Sequence, residues 1–269
     1  MNILFFGDIV GDAGVKATAA YIRETRESRD IDIIVANAEN SATRGAGLSK
    51  AAAASLYSAG VDIITLGNHT FKDRDAFNLL KDEEYIVRPA NYPHGVPGRG
   101  SALFYTRKGA VGVVNLLGRL YMEACDCPFA AAEHEIARLR EKTNMIFIDM
   151  HAEATSEKIA AAFCVDGKCS LLAGTHTHVQ TADERILPGG TAFITDVGMT
   201  GPSDGVIGVK SESAVRRFRT LMPERFTPSE GRVQINAVIA CIDERSGMAV
   251  AIERVNALAG GGGEPDNAD

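Results

Sequence analysis

Short apolar runs alternate along the chain with stretches whose apolar positions recur at helical spacing. Asn2–Phe6, Ile31–Ala36 and Val61–Leu66 read as strands, being too short for helices and bounded by Gly, Asn or Asp. Val15, Ala19 and Ile22 mark a helix after the first strand, ending in the charged stretch Arg23–Asp30. Ser49 predicts the N-cap of a helix over Lys50–Ala59, which Gly60 ends. A short helix is expected near Asp73–Leu80. Ala102–Thr106 and Val111–Leu117, separated by Arg107-Lys108-Gly109-Ala110, read as a hairpin. Phe129, Ala132, Ile136 and Leu139 mark another amphipathic helix. Strands follow at Met145–Met150, Ser170–Ala173 and Thr191–Thr195, with a helix around Ser156–Phe163. Val215, Phe218 and Leu221 mark a late helix, and Val233–Cys241 with Met248–Val255 a closing hairpin.

No repeat or interior linker breaks this pattern, so residues 1–258 read as one domain and 259–269, rich in Gly and polar residues, as a disordered tail. Alternating strands and helices with added hairpins predict an α/β fold, an α+β sandwich of sheets flanked by helices. In such folds the site lies beyond the carboxyl ends of the strands.

The residues directly after each strand are therefore informative. Gly7-Asp8, Asn37-Ala38-Glu39-Asn40, Gly67-Asn68-His69, His151, Gly174-Thr175-His176-Thr177-His178 and Asp196 each stand there. One Asp or Asn after a strand is usually a turn former or cap, and one His is more often a satisfied structural residue. Yet four of the six histidines, His69, His151, His176 and His178, share this position, whereas His94 and His134 do not. Together they point to a metal centre. His176 and His178, two apart, would point the same way in extended backbone. Imidazole, carboxylate and amide donors suit iron, manganese or zinc rather than calcium, and no cysteine falls among them, against a thiolate zinc site. Asp8, Glu39, Asn40, Asn68, His151, His176 and His178 exceed what one tetrahedral ion needs and suit two ions sharing a carboxylate, a pair that clamps a phosphoryl group.

Charge and composition narrow the substrate and compartment. A net charge of −7 disfavours a broad basic face for long nucleic acid but leaves room for a small phosphate, since bound cations dominate a local field. No stretch approaches the roughly 20 apolar residues of a membrane span, and Asn2–Phe6 lacks a basic flank and is too short for a signal core. Five cysteines, an odd count, fit reduced thiols in the cytoplasm. Cys164 and Cys169 would pair only if Asp166-Gly167 were a hairpin turn, and the helical pattern before it favours a helix end. Gly7, Gly11 and Gly14 lack the Gly-Lys-Ser/Thr of a phosphate loop and read as tight turns. Arg44 reads equally as a phosphate clamp or a solvated charge, and Asp196 as a partner for a ligand histidine or a turn former.

Gly7-Asp8, Gly67-Asn68-His69 and Gly174–His178 resemble the calcineurin-like metallophosphoesterases. Gly-Asp-Ile-Val-Gly (7–11), Asn-Ala-Glu-Asn (37–40), Arg-Pro-Ala-Asn-Tyr-Pro (88–93), Gly-Thr-His-Thr-His-Val-Gln-Thr-Ala-Asp (174–183) and Asp-Val-Gly-Met-Thr-Gly-Pro (196–202) resemble the bacterial YmdB-like branch. The general Asp-x-His is Asp8-Ile9-Val10 here, and Glu39-Asn40 stands where the superfamily has a bridging aspartate; the branch shares both departures. The resemblance implies one ion on Asp8, Glu39, Asn40 and His178, and a second, bridged by Glu39, on Asn68, His151 and His176. It implies iron, with manganese or zinc as alternatives, and hydrolysis of 2′,3′- and 3′,5′-cyclic nucleotides. His69 adjoins a ligand but lies outside the implied set, which suggests a general acid for attack by a metal-bound hydroxide; a further ligand or a hydrogen-bond partner is the competing role. Competing functions are a phosphomonoesterase or ribonuclease using the same ions, and a regulatory or scaffold protein of RNA turnover with a structural metal site. The expected partners are a small cyclic nucleotide, with no membrane and no stable nucleic-acid complex, an RNA-turnover protein, and a second copy of the chain paired through the apolar hairpins.

Overall fold

A computed structural model describes residues 1–259. Its elements are β1 (Asn2–Phe6), β2 (Asp8–Ile9), α1 (Gly11–Thr25), β3 (Ile33–Asn37), α2 (Lys50–Ala59), β4 (Ile63–Thr65), α3 (Asp75–Asp82) and β5 (Ile86–Val87). The hairpin β6 (Ser101–Thr106) and β7 (Gly109–Leu117) precedes α4 (Pro128–Leu139), β8 (Met145–His151), α5 (Thr155–Cys164) and β9 (Leu171–Thr175). The chain closes with β10 (Arg185–Ile186), β11 (Ala192–Ile194), β12 (Met199–Pro202), α6 (Ser211–Thr220), β13 (Val233–Ile242) and β14 (Ala249–Leu258).

Two sheets result. One runs β2-β12-β13-β1-β3-β4-β5, with β14 paired to β13; the other runs β10-β11-β9-β8-β7-β6. Strand side chains alternate between faces, and here both faces are covered. Ile3 and Phe5 of β1 point into the core between the sheets with Val113, Phe147 and Leu171. Leu4 and Phe6 point outward beneath α1 and α2, against Val15, Ile22 and Leu56. On the far side of the second sheet Ile146 and Ile148 pack beneath α4 and α5 against Ile136 and Ala162. The order helix–sheet–sheet–helix explains why these strands read as continuous apolar runs rather than alternating ones.

β1, β3 and β4 are parallel, as are β7, β8, β9 and β11. Their carboxyl ends therefore deliver the next residues of the chain to shared edges. The expected cap at Ser49 forms, its side chain accepting from Ala52 N (3.2 Å), and Gly60 closes α2 in the left-handed region. Asp166-Gly167 follows the end of α5, and all five cysteines are free thiols. The short strands β2, β5, β10 and β12 carry too few residues for a periodic signal. The stripe expected for α6 turns outward: Val215 and Phe218 of the helix and Leu221 just past its end are 49%, 75% and 78% exposed, and Ala214 is the helix's buried residue. Helical spacing defines a face but not what covers it. The tail expected over 259–269 lies, from residue 260, outside the described residues. Among the described residues no helix is long and apolar enough to cross a membrane.

Candidate metal centre

Side chains from both sheets meet at the shared edge. The His151 Nε2 atom is the hub: Glu39 Oε1 and Asn68 Oδ1 each lie 3.0 Å away, and His176 Nδ1 3.1 Å. Beside them, Asp8 Oδ1 lies 3.6 Å from His178 Nε2 and 3.9 Å from His151 Nδ1. Asp8, Glu39, Asn40 and His151 are buried, and Asn68, His176 and His178 partly so. All seven predicted ligands thus come together.

These groups perturb one another. Burial would raise the Asp8 and Glu39 carboxyls, but His178 and His151 beside Asp8, and His151 and His69 beside Glu39, hold both below the usual carboxylate range. Burial likewise disfavours a charge on His151, yet Glu39 and Asp8 hold it up at about 9. His176 is pushed down to about 4 by burial and by the charge on His151. Burial opposes a charge on His178, which Asp8 outweighs. Two imidazole nitrogens facing each other at 3.1 Å with a carboxylate alongside crowd ligand atoms around one point, where a proton on His151 stands in for a cation. A cation relieves that crowding, and buried oxygen and imidazole donors fit iron, manganese or zinc. Glu39, His151 and His176 can reach one ion together.

The hub is oriented from behind. Thr175 Oγ1 donates to Asp149 Oδ1 (2.7 Å) and so accepts from His151 Nδ1 (2.9 Å). Nε2 is then the nitrogen left for an ion. Asp149 also accepts from Thr65 Oγ1 (2.5 Å) and Asn37 Nδ2 (3.0 Å), and burial raises its carboxyl to about 6. Asp149 and His151, two apart on β8, share a strand face; a carboxylate inside an apolar run is the sequence signal for this relay. Gly67 is needed as glycine because a Cβ there would strike the His151 ring and Glu39.

The extended backbone expected at His176 and His178 is not found. β9 ends at Thr175, and both residues have positive φ, 101° and 64°. Each such residue costs about 1–3 kcal/mol and persists only where surroundings over-determine it. Here His176 N donates to Asp8 Oδ2 (2.9 Å), Thr177 N to Asp196 Oδ2 (3.1 Å), and His178 Nδ1 to the Ile207 carbonyl (2.9 Å). Asp196 thus anchors the loop backbone and, through Gly198 N (2.8 Å), also makes the turn. Its counter-ion, the buried Lys158 of α5, carries no sequence signal, since an isolated helical lysine reads as solvated.

His69 sits at the mouth. Its backbone N donates to Glu39 Oε2 (2.7 Å), and its Nδ1 lies 2.7 Å from Asn40 Oδ1. The Asn40 amide presents Nδ2 to Asp8 (3.4 Å) and His178 (3.3 Å). A place as oxygen ligand beside Asp8 requires that amide turned over. Glu153, which sequence pattern does not single out, approaches His176 Nε2 at 3.2 Å. Arg44 is exposed, and His94 and His134 line a separate cavity.

The model of the YmdB-like protein family matches residues 4–255. A 2′,3′-cyclic-nucleotide 2′-phosphodiesterase of Bacillus subtilis (strain 168) is 45% identical over 255 residues, spanning 95% of this chain and 96% of that protein. A crystal structure described as a novel phosphatase of Mycoplasma pneumoniae superposes with a TM-score of 0.88 at 34% identity, covering 96% of this chain and 93% of that one. The fold alone is shared with a 5′-nucleotidase precursor of Thermus thermophilus, with a TM-score of 0.60 at 12% identity over 96% of this chain and 54% of that one.

Proposed function

Because the chain belongs to the YmdB-like protein family, we propose that it is a two-metal phosphodiesterase that opens 2′,3′-cyclic nucleotides and also takes 3′,5′-cyclic ones. The observation that carries this reading is the convergence of Glu39, Asn68 and His176 on His151 Nε2 at 3.0–3.1 Å, with Asp8 and His178 alongside. Asp8, Glu39, Asn40 and His178 would hold one ion, and Glu39, Asn68, His151 and His176 the other. Ions there, iron first and manganese or zinc otherwise, supply Lewis acidity and a nucleophile at neutral pH.

The chain's own groups do the rest. Asp149 and Thr175 keep His151 Nε2 turned inward, while Asp196 and Lys158 hold the loop bearing His176 and His178. With the Asn40 amide turned over to serve as a ligand, its Nδ2 would face His69 Nδ1 and donate to it, leaving the His69 proton on Nε2 to be given. In the reaction a water oxygen bonds to phosphorus and sheds a proton to solvent, the P–O2′ bond breaks, O2′ takes the proton from His69, and His69 is reprotonated from solvent. Without that proton an alkoxide would have to leave, and it is a poor leaving group. A 3′-phosphomonoester remains.

Purified protein loaded anaerobically with iron, manganese or zinc should hydrolyse 2′,3′-cyclic AMP and bis-p-nitrophenyl phosphate, and lose both activities on chelation. Absence of turnover with all three metals would end this reading. Faster hydrolysis of phosphomonoesters than of either diester would favour a phosphatase.

A further inference from the structure

Cleavage at phosphorus accounts for the phosphate but not for how the protein holds a nucleoside. Base and cyclic phosphate hang from one ribose, so a base subsite must border the metal centre. Three cavities test this requirement. The first, of about 440 Å³, is bounded by Arg88, His94 and His134 and touches none of the seven candidate ligands. A second, of about 280 Å³, borders His178 and presents amides with the aliphatic side chains of Met199 and Ile207, but no Phe, Tyr or Trp face. The third, of about 300 Å³, borders Asn68 itself and is walled by Phe71, Tyr92, Pro93 and Val96, with Lys72 and Glu123 also at its lining.

The aromatic wall is held in place. The Tyr92 hydroxyl donates to the Gly67 carbonyl (3.0 Å), one residue from Asn68, and Lys72 N donates to the His69 carbonyl (3.0 Å) in a turn that sets Phe71 beside the proposed acid. The Phe71 and Tyr92 rings are inclined by only 30°, with centroids 6.0 Å apart, and Phe77 backs Phe71 at 5.1 Å. Planar bases stack on such faces whatever their edge pattern, because every base has a π-face.

We propose that the cavity between Asn68, Phe71, Tyr92 and Val96 is the nucleobase subsite of this enzyme, in which the base of the cyclic nucleotide stacks on the Phe71 face while its phosphate reaches the metal centre. The inference rests on the diesterase reading above. It makes the chain a nucleotide enzyme rather than a general diesterase, since a base-free cyclic phosphate would forgo this contact.

The test compares 2′,3′-cyclic AMP with base-free 1-O-methylribose 2′,3′-cyclic phosphate on the metal-loaded enzyme, together with calorimetric binding of adenosine 3′-monophosphate. Phe71→Ala should raise KM for cyclic AMP and Kd for the monophosphate about tenfold, the value of one stacked base. Kinetics on the base-free substrate should stay within about twofold of wild type. Phe71→Leu, which keeps apolar packing, should behave like Phe71→Ala, and Phe71→Trp should restore binding. Equal losses on both substrates in all three variants, or no loss on either, would overturn the subsite. A wild-type enzyme that turns over neither cyclic phosphate would instead overturn the diesterase reading, so the two failures are distinct.

Discussion

Lys158 places its ammonium 2.7 Å from the carboxylate of Asp196, with both side chains sealed from solvent. The same carboxylate oxygen accepts from Thr177 N, between the two left-handed histidines. An ion pair in the core thus secures a strained loop at the site. Removing one partner leaves the other charge buried and uncompensated, which typically costs about 3–5 kcal/mol. Lys158→Met should destabilise the protein by that order in chemical denaturation, and adding Asp196→Asn should recover part of the loss.

His69 carries the second prediction. His69→Ala should lower kcat on 2′,3′-cyclic AMP by about 10²–10⁴ while metal content stays unchanged. The loss should shrink on bis-p-nitrophenyl phosphate, whose leaving group departs without a proton. Loss of metal in this variant would assign His69 to the ligand set instead.

The relay behind His151 should show in metal affinity. Thr175→Val removes the hydroxyl that links Nδ1 to Asp149. Losing such an orienting partner typically costs about 10–100-fold in affinity. Competition titration against a chromophoric chelator measures this without turnover.

The fourth prediction concerns pH. Among the protein's own charges His151 is raised from 6.5 to about 9, burial opposing and Glu39 and Asp8 prevailing. A raised folded pKa gives stability that is complete below 6.5 and lost as pH climbs through about 9. Asp149, raised by burial from 3.8 to about 6, gives stability that is complete below 3.8 and lost through 6. With chelator, the denaturation midpoint should therefore fall as pH rises from 6.5 to about 9. Because an ion must displace the His151 proton, metal affinity should rise over the same interval. The metal-loaded protein should not show the fall in midpoint.

Much of this is readable from local pattern. Asn2–Phe6 is the strand the apolar run predicts, and Ser49 and Gly60 cap α2 as their chemistry requires. The candidate ligands are legible because polar side chains immediately after apolar strands have no local reason to cluster. The backbone at His176 and His178 is not legible in the same way. Two-residue spacing implies a common direction only while the strand continues, and β9 stops at Thr175. The stripe of Val215, Phe218 and Leu221 marks a helix, which forms, but its exposure depends on what lies opposite.

The sequence by itself determined the longer strands, the positions directly after them and the donor types offered there. These depend on neighbours a few residues away and on the burial that a continuous apolar run demands. Tertiary structure alone decided that two sheets would share one edge. It brought Asn37 to Asp149 across 112 residues and Lys158 to Asp196 across 38. It also set an aromatic cavity against Asn68. A charge inside a helix or strand carries no local mark of whether it will be buried, because its counter-charge lies elsewhere in the chain. Packing two sheets face to face supplied those partners.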